Sequence, residues 1–483
     1  MIPLNLAELV EVTGGELHGC DDPAAVVVHG VVTTDSRECG PGSLYVARVG
    51  EFADGHDYAP AAVAAGAVAV LGSRPIERVP TIVVDDVQTA FGRLGRGVVD
   101  RAPGVRIVGI TGSSGKTTTK DLLASVLSTA GETVAPLNSL NGEIGVPLTV
   151  CRITPATRYL VVEMGARGIG HVEYLTRIAP PHVAIVLNVG TAHVGEFGSR
   201  ANIALAKSEL PKAVPPDGLS ILNADDPVVA AMAGDLRSRV QLVGLSPHAE
   251  VRAEDVSVDK LGRAAYDLIA LEGRARVSLQ LSGAHHVANS LAVAAAALEL
   301  GMSLDRVAAA LSAATPVSRW RMEITERPDG VVVVNDAYNA NPDSMRAALD
   351  ALAVISTSGA RWAVVGGMLE LGPDSDREHS AIGSYAAGLG VDHVVAVGEG
   401  ARAYGAAEWL PDVDAAHEFL EARLQPGDVV LLKSSRDSGL RWLGDRLAAT
   451  GEWAEGGRTV GAEGAVAAVD DRPDERDERT VAP

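Results

Sequence analysis

Lys116, Thr117, Glu163, His193 and Lys207 are the residues whose types and placing suit chemistry on a phosphate group. Lys116 and Thr117 close the run Gly112-Ser113-Ser114-Gly115-Lys116-Thr117. A glycine turn at a helix head aims backbone N–H groups and the helix's positive end at one point, and a polyphosphate suits that point. Lys116 would reach the outer phosphates, and the Thr117 hydroxyl would ligate Mg²⁺. The loop is shorter than the G-x-x-x-x-G-K-[ST] pattern, because Ile110 stands where that pattern has its first glycine. Glu163 ends the apolar run Tyr159–Glu163, and His193 follows the run His182–Leu187. In open parallel sheets, ligands collect at the carboxyl ends of strands. Each residue alone reads equally as a polar group at a strand end; both on the edge that carries the loop favours a metal or nucleotide role.

The elements that must position these groups are legible around them. Ile107, Val108 and Ile110 form a short apolar run, as a buried parallel strand would. Leu122, Leu123, Val126, Leu127 and Ala130 fall on one helical face, with Gly131 placed as a C-terminal cap. Leu219–Leu222 is a further strand leading into Asn223-Ala224-Asp225-Asp226-Pro227. Residues 201–210 read as a helix, on which Lys207 is by default a solvated charge, and Asn289 sits in an Ala-rich helix. Ser303 is placed to cap a helix over Ser303–Thr315. Before the phosphate loop, residues 1–104 read as a small α/β unit with an opening helix, strands at Val26–Val32, Ser43–Val46, Val68–Leu71 and Thr81–Val84, and the turn Asp35-Ser36-Arg37. After Thr315-Pro316, strands at Gly330–Val334, Trp362–Val365, His393–Val397 and Asp428–Leu432, with a helix from Pro342 to Leu352, predict a second doubly wound unit.

The chain has 483 residues, too many for one typical core. Its domains are expected at 1–104, 105–315 and 316–455, followed by a disordered acidic tail over 456–483. A formal charge of −21 disfavours nucleic acid held on a broad basic surface, but leaves room for an anionic small substrate in a local positive pocket. The three cysteines, Cys20, Cys39 and Cys151, lack metal-ligand spacing and fit a reducing cytoplasm. The opening residues read as no signal peptide, and no apolar run is long enough to span a membrane.

A central nucleotide loop flanked by two smaller α/β units resembles the Mur ligase family, and within it the MurF type. The motifs that carry the resemblance are TGSSGKTTTKDLL (111–123), NGEIGVPLT (141–149), EMGARGIGHV (163–172), NVGTAHVGEFGS (188–199), AKSEL (206–210), NADDP (223–227), SRWRME (318–323), NDAYNANPDSM (335–345) and MLELG (368–372). The resemblance implies a three-domain α/β fold: a central P-loop ATPase domain between an N-terminal UDP-substrate domain and a C-terminal Rossmann-like domain. It implies a monomeric, ATP- and Mg²⁺-dependent ligase joining D-alanyl-D-alanine to UDP-N-acetylmuramoyl-tripeptide through an acyl phosphate. It further implies ATP contacts at Gly112, Ser113, Ser114, Gly115, Lys116, Thr117, Thr118, Asn289, Arg319, Asp336 and Asn341. Thr117, Glu163, His193 and, if carbamylated, Lys207 match metal-site residues, with Lys116, His193 and Lys207 catalytic. Ser36 and Arg37 match the UDP-substrate site. Three positions depart from the family pattern: His286, Gly367 and Ser434. Asp336 and Lys116 fall in different domains, so ATP would be enclosed only when the third domain swings in. Replacing Asp336 with Ala is then expected to raise the ATP requirement without unfolding the protein. Two other readings stay open: a related ligase with another acceptor, such as a folylpolyglutamate synthase or a specialised-metabolism paralogue, and a nucleotide-binding regulator without ligase activity.

Overall fold

The computed structural model describes residues 1–190 and 194–449, and the sheets below are those of the described residues. The expected tail over 456–483 and the His193 position lie outside them. A nine-stranded sheet forms the middle of the molecule. Its parallel half places the strand Arg106–Thr111 between Thr157–Glu163 and Val183–Val186, with Leu219–Asn223 and Arg239–Gly244 beyond. All but the first residue of Arg106–Thr111 is buried, because helices cover both faces. The other half, Val251–Val258, Arg263–Ala270 and Gly273–Ser282, is antiparallel. Its strand Arg263–Ala270 alternates half-buried and buried residues. The core joins Val108, Ile110, Leu123 and Val126 around the phosphate loop to Leu291, Val293 and Leu311 of two later helices.

The N-terminal unit holds a five-stranded sheet ordered Glu16–His18, Thr81–Val83, Ala67–Gly72, Ser43–Val46 and Val32–Thr33. The strand expected over Val26–Val32 is instead two short ones, Val27–Val28 and Val32–Thr33, in different sheets. Its helix Val87–Asp100 packs on the middle domain. At Gly92 a Cβ would sit 2.6 Å from the Tyr174 hydroxyl, and at Gly95 3.0 Å from Ile178, so bare glycine backbone lets the helices approach. One apolar core therefore runs from Leu6, Phe91 and Leu94 into Ile107, Leu160 and Val172. The C-terminal unit has a six-stranded sheet ordered Glu323–Glu326, Val332–Asn335, Val429–Lys433, Arg361–Val365, His393–Val397 and Glu408–Leu410. Two cores of its own flank that sheet. The architecture is a three-domain α/β one, as the sequence led us to expect.

Two local expectations need correction. The helix after the phosphate loop, Lys116–Ser128, ends at Thr129 rather than at a left-handed Gly131. Gly131 instead packs against Arg158 and Tyr159. Ser303 does precede the helix Leu304–Ala313, but its side chain makes no capping hydrogen bond.

Candidate active site

Gly115 opens the helix Lys116–Ser128 with φ +80°, a left-handed conformation that glycine adopts without strain. A Cβ there would lie 2.9 Å from the Asn289 side-chain oxygen, so the amide of Asn289 rests directly on the loop. The Asn188 Oδ1 accepts the N–H groups of Ser113 and Ser114, both at 2.9 Å, and Gly190 N–H donates to Ser113 Oγ at 2.9 Å. These bonds fix the loop. The first-turn amides of Lys116, Thr117 and Thr118 belong to the set that no helix can satisfy internally, which makes them anion donors. Lys116 Nζ donates to the Gly112 carbonyl at 2.7 Å across the loop. Burial pushes its pKa down, Glu163 opposes that shift, and Arg321 adds to it.

Glu163 ends its strand level with Ile110 and is 1% exposed. Its Oε2 accepts from Thr117 Oγ1 at 3.1 Å, and its Oε1 accepts from Ser139 Oγ at 3.2 Å and Asn141 Nδ2 at 2.8 Å. Ser139 and Thr117 hydroxyls are also 3.1 Å apart. Two hydroxyls and a carboxylate form a hard-oxygen donor set, which suits Mg²⁺ bound by few protein ligands plus substrate phosphates. Among the described residues no group of three or more His, Cys, Asp and Glu converges as a self-sufficient metal cage. Ser139 and Asn141 are site residues that the sequence reading missed. The signal for Asn141 was present in the NGEIG motif, which it begins; Ser139 lies two residues before that motif.

Lys207 is not the solvated charge its helix suggested: it is 4% exposed on Arg200–Lys212. Burial first, and then the neighbouring Lys116, hold its pKa well below the ordinary lysine value. Glu209 anchors the same helix by accepting the N–H groups of Gly170 and Glu173 at 2.6 and 2.9 Å.

The third domain supplies the opposite wall. Asp336 is engaged at both oxygens: Oδ2 accepts from the buried Lys433 Nζ at 2.6 Å and Oδ1 from Met322 N–H at 3.1 Å. Asn341 is the N-cap of the helix Pro342–Val354, its Oδ1 accepting Ser344 N–H at 2.9 Å. The arginine brought to the phosphate loop is Arg321, not Arg319. Arg321 stacks 4.3 Å above the Tyr338 ring, and its Nη2 lies 3.4 Å from Thr117 Oγ1. Arg319 turns outward, 56% exposed, and pairs with Asp445 at 2.9 Å. The alternating spacing of SRWRME explains the miss: two arginines two residues apart look equivalent until the backbone is known. Ser36 and Arg37 sit in a 3₁₀ turn capped by Asp35, where Arg37 pairs with Asp35 and is 74% exposed. They stand apart from the residues lining the main cavity.

That cavity, about 1080 Å³, is lined from all three domains: Arg48 and Gln88 from the first, the phosphate loop, Glu163, Lys207 and Asn289 from the second, and Asp336, Lys433 and Arg436 from the third. It is at the upper end of small-ligand sites, roughly 300–1,000 Å³. Among the described residues no helix is long and apolar enough to cross a membrane.

The fold and cavity define a nucleotide-binding α/β protein of three modules, with a phosphate loop at the centre. Family models agree with that division: Mur ligase family, catalytic domain, over residues 28–97; Mur ligase middle domain over 110–297; and Mur ligase, glutamate ligase domain, over 320–436. The UDP-N-acetylmuramoyl-tripeptide–D-alanyl-D-alanine ligase of Mycobacterium tuberculosis is 46% identical, over 93% of this chain and 98% of that protein. The ligase of the same name from Escherichia coli is 36% identical, over 91% and 97%. The crystal structure of MurF from Acinetobacter baumannii superposes with a TM-score of 0.84 at 32% identity, over 93% of this chain and 99% of that one. MurF ligase from Thermotoga maritima, solved in complex with ADP, gives a TM-score of 0.77 at 28% identity, over 87% and 98%. The chain belongs to the Mur ligase family and to its MurF type, and membership implies the use of ATP.

Proposed function

We propose that this protein is an ATP-dependent amide ligase that adds D-alanyl-D-alanine to UDP-N-acetylmuramoyl-tripeptide, yielding the pentapeptide precursor of peptidoglycan. The observation that carries this is a cavity in which a phosphate loop faces walls from two other domains. A carboxylate oxygen of the tripeptide attacks the γ-phosphorus of ATP, the bond to the β-phosphate oxygen breaks, and ADP leaves. The acceptor nitrogen then attacks the acyl carbon, loses a proton, and expels phosphate. Lys116 and the first-turn amides of its helix bear the charge that develops on the transferred phosphoryl group. Asn289, seated on Gly115, would contact the adenine. Arg321 adds a cation from the third domain. Walls from three domains exclude water from the acyl phosphate.

Thr117, Ser139 and Glu163 would hold Mg²⁺ with the nucleotide phosphates, and His193 is proposed to join them. Mg²⁺ would supply charge neutralisation on the phosphoryl oxygens. Lys207 would contribute as a carbamate: burial, and then Lys116, lower its pKa and so favour the neutral amine, whose lone pair is what attacks carbon dioxide. Ser36 and Arg37 would take the uridine diphosphate. The proposed domain limits are 1–104, 105–315 and 316–455. The setting is the cytoplasm, the working form a monomer.

The test is mass spectrometry of the products from ATP, D-alanyl-D-alanine and a UDP-muramoyl-tripeptide. The expected product is the pentapeptide, with ADP and phosphate in equal amount. ADP release with folate, glutamate or another acceptor instead would favour the paralogue reading, and phosphate without any amide would favour the regulator.

A further inference from the structure

The MLELG motif has no part in the nucleotide chemistry above, yet Leu369 and Glu370 line the cavity beside Ser435 and Arg436. The segment is tied down at every step. Met368 N–H donates to Nε2 of the buried His379 at 2.9 Å, and His379 Nδ1 is 2.7 Å from the Ser375 carbonyl. Leu369 N–H donates to Ser435 Oγ at 3.0 Å. The Glu370 carbonyl accepts Gly195 N–H, from the middle domain, at 3.2 Å. Glu370 itself has φ +62°. A side chain with a Cβ is strained there by about 1 kcal/mol or more, and glycine would relieve it. The Glu370 carboxylate is thus carried into the cavity on a loop anchored from both domains. The loop also shares a cavity with the phosphate loop, since Leu369, Glu370, Ser113 and Lys116 all line it. The turn after Ser435 places a guanidinium on the same wall, so the wall offers opposite charges with apolar Leu369 close by.

We propose that Glu370 binds the ammonium group of the incoming dipeptide and Arg436 its terminal carboxylate. This rests on the ligase reading and names the residues that choose its acceptor. The ammonium first passes one proton to the Glu370 carboxylate, which frees the nitrogen lone pair; the amine then bonds to the acyl carbon, and its second proton leaves with the departing phosphate. The carbon–oxygen bond to phosphate breaks, and phosphate leaves with the electron pair.

The experiment compares the parent enzyme with E370Q, E370G and R436Q, using D-alanyl-D-alanine and, separately, hydroxylamine as nucleophile. Hydroxylamine is uncharged at neutral pH and carries no carboxylate, so it reports acyl phosphate formation alone. In E370Q and E370G the KM for the dipeptide is expected to rise about tenfold or more, as loss of a charge-assisted hydrogen bond implies. The KM for ATP and the rate of hydroxamate formation change at most about twofold on the same reasoning. In R436Q the penalty for using D-alanyl-D-alaninamide in place of the dipeptide shrinks, because the amide lacks the group that Arg436 reads. An unchanged dipeptide KM in E370Q overturns the proposal, as does a hydroxamate rate that falls in step with dipeptide addition. Normal behaviour of E370G beside a defective E370Q would also overturn it, assigning the effect to the backbone. A parent enzyme that forms neither hydroxamate nor pentapeptide overturns the ligase reading itself, and this inference with it.

Discussion

The Nε2 of His286 is buried and finds no hydrogen-bond partner among the described residues, and its ring lies 4.0 Å from that of His285. Burial, reinforced by His285, holds the His286 pKa well below the usual histidine value. The unfolded chain therefore binds more protons than the folded one between the lowered pKa and about 6.5. Stability rises with pH through that window and levels off above it. The variant H286N is expected to lose less stability than the parent between pH 7 and 5, its slope smaller by about 1.4 kcal/mol per pH unit. Urea unfolding followed at a series of pH values measures this, and parallel slopes would refute it. Lys116→Ala tests the residue on which the phosphate chemistry turns. Its turnover is expected to fall about a thousandfold, within the range for lost transition-state donors, with an unchanged unfolding midpoint. At this scale the sequence was readable where a motif dictated geometry, as at Gly115 and Lys116. The helix pattern alone misled at Lys207 and the motif at Arg319, because burial and side-chain direction depend on tertiary neighbours that periodicity does not report.

Among elements, the strand, loop and helix from Arg106 to Ser128 were legible because apolar run, glycine turn and amphipathic face agree. The helix Val87–Asp100 was not, since its three glycines lower helix propensity and serve a close helix–helix approach instead. The antiparallel strands from Val251 to Ser282 escaped for another reason: their charged residues, such as Arg274 and Asp267, pair across strands rather than mark loops. The strand Val332–Asn335 bears on a functional expectation. It delivers Asp336 to Lys433, and that lysine is 2% exposed. Asp336→Ala would therefore leave a buried charge unpaired and destabilise the domain by about 3–5 kcal/mol, instead of sparing the fold. D336A is expected to melt well below the parent, and the double variant D336A/K433M to recover most of the loss. Thermal unfolding of the three proteins settles it, and a D336A that melts with the parent would restore the simpler view. The neighbouring cap gives a milder case: Asn341→Ala loses the bond to Ser344 N–H, worth about 1 kcal/mol of helix stability.

For the molecule as a whole, the two seams between domains differ in kind. The first and second domains share one apolar core. The third meets the second through scattered polar contacts: Ser356 N–H to the Lys260 carbonyl at 2.8 Å, Ser318 N–H to Asp121 at 3.3 Å, and Gly195 N–H to the Glu370 carbonyl at 3.2 Å. An interface of that sort opens readily, while a shared core does not. The start of the third domain carries left-handed backbone at Trp320 and Met322, φ +57° and +52°, on either side of Arg321. Arg321 is thus presented at the domain's edge, clamped on Tyr338 and reaching Thr117. Bound nucleotide would complete that reach, so ATP and closure of the third domain are coupled through one guanidinium. Arg321→Ala is expected to weaken ATP binding roughly tenfold, as loss of about 1–2 kcal/mol of cation contact implies. Its unfolding midpoint is expected to match the parent's, since the side chain belongs to neither domain core. Small-angle scattering with a non-hydrolysable ATP analogue reads the coupling directly: the parent is expected to become more compact on binding, and R321A to stay open at saturating nucleotide. Equal compaction in both proteins would move the source of closure to the other polar contacts and leave Arg321 a phosphate contact only.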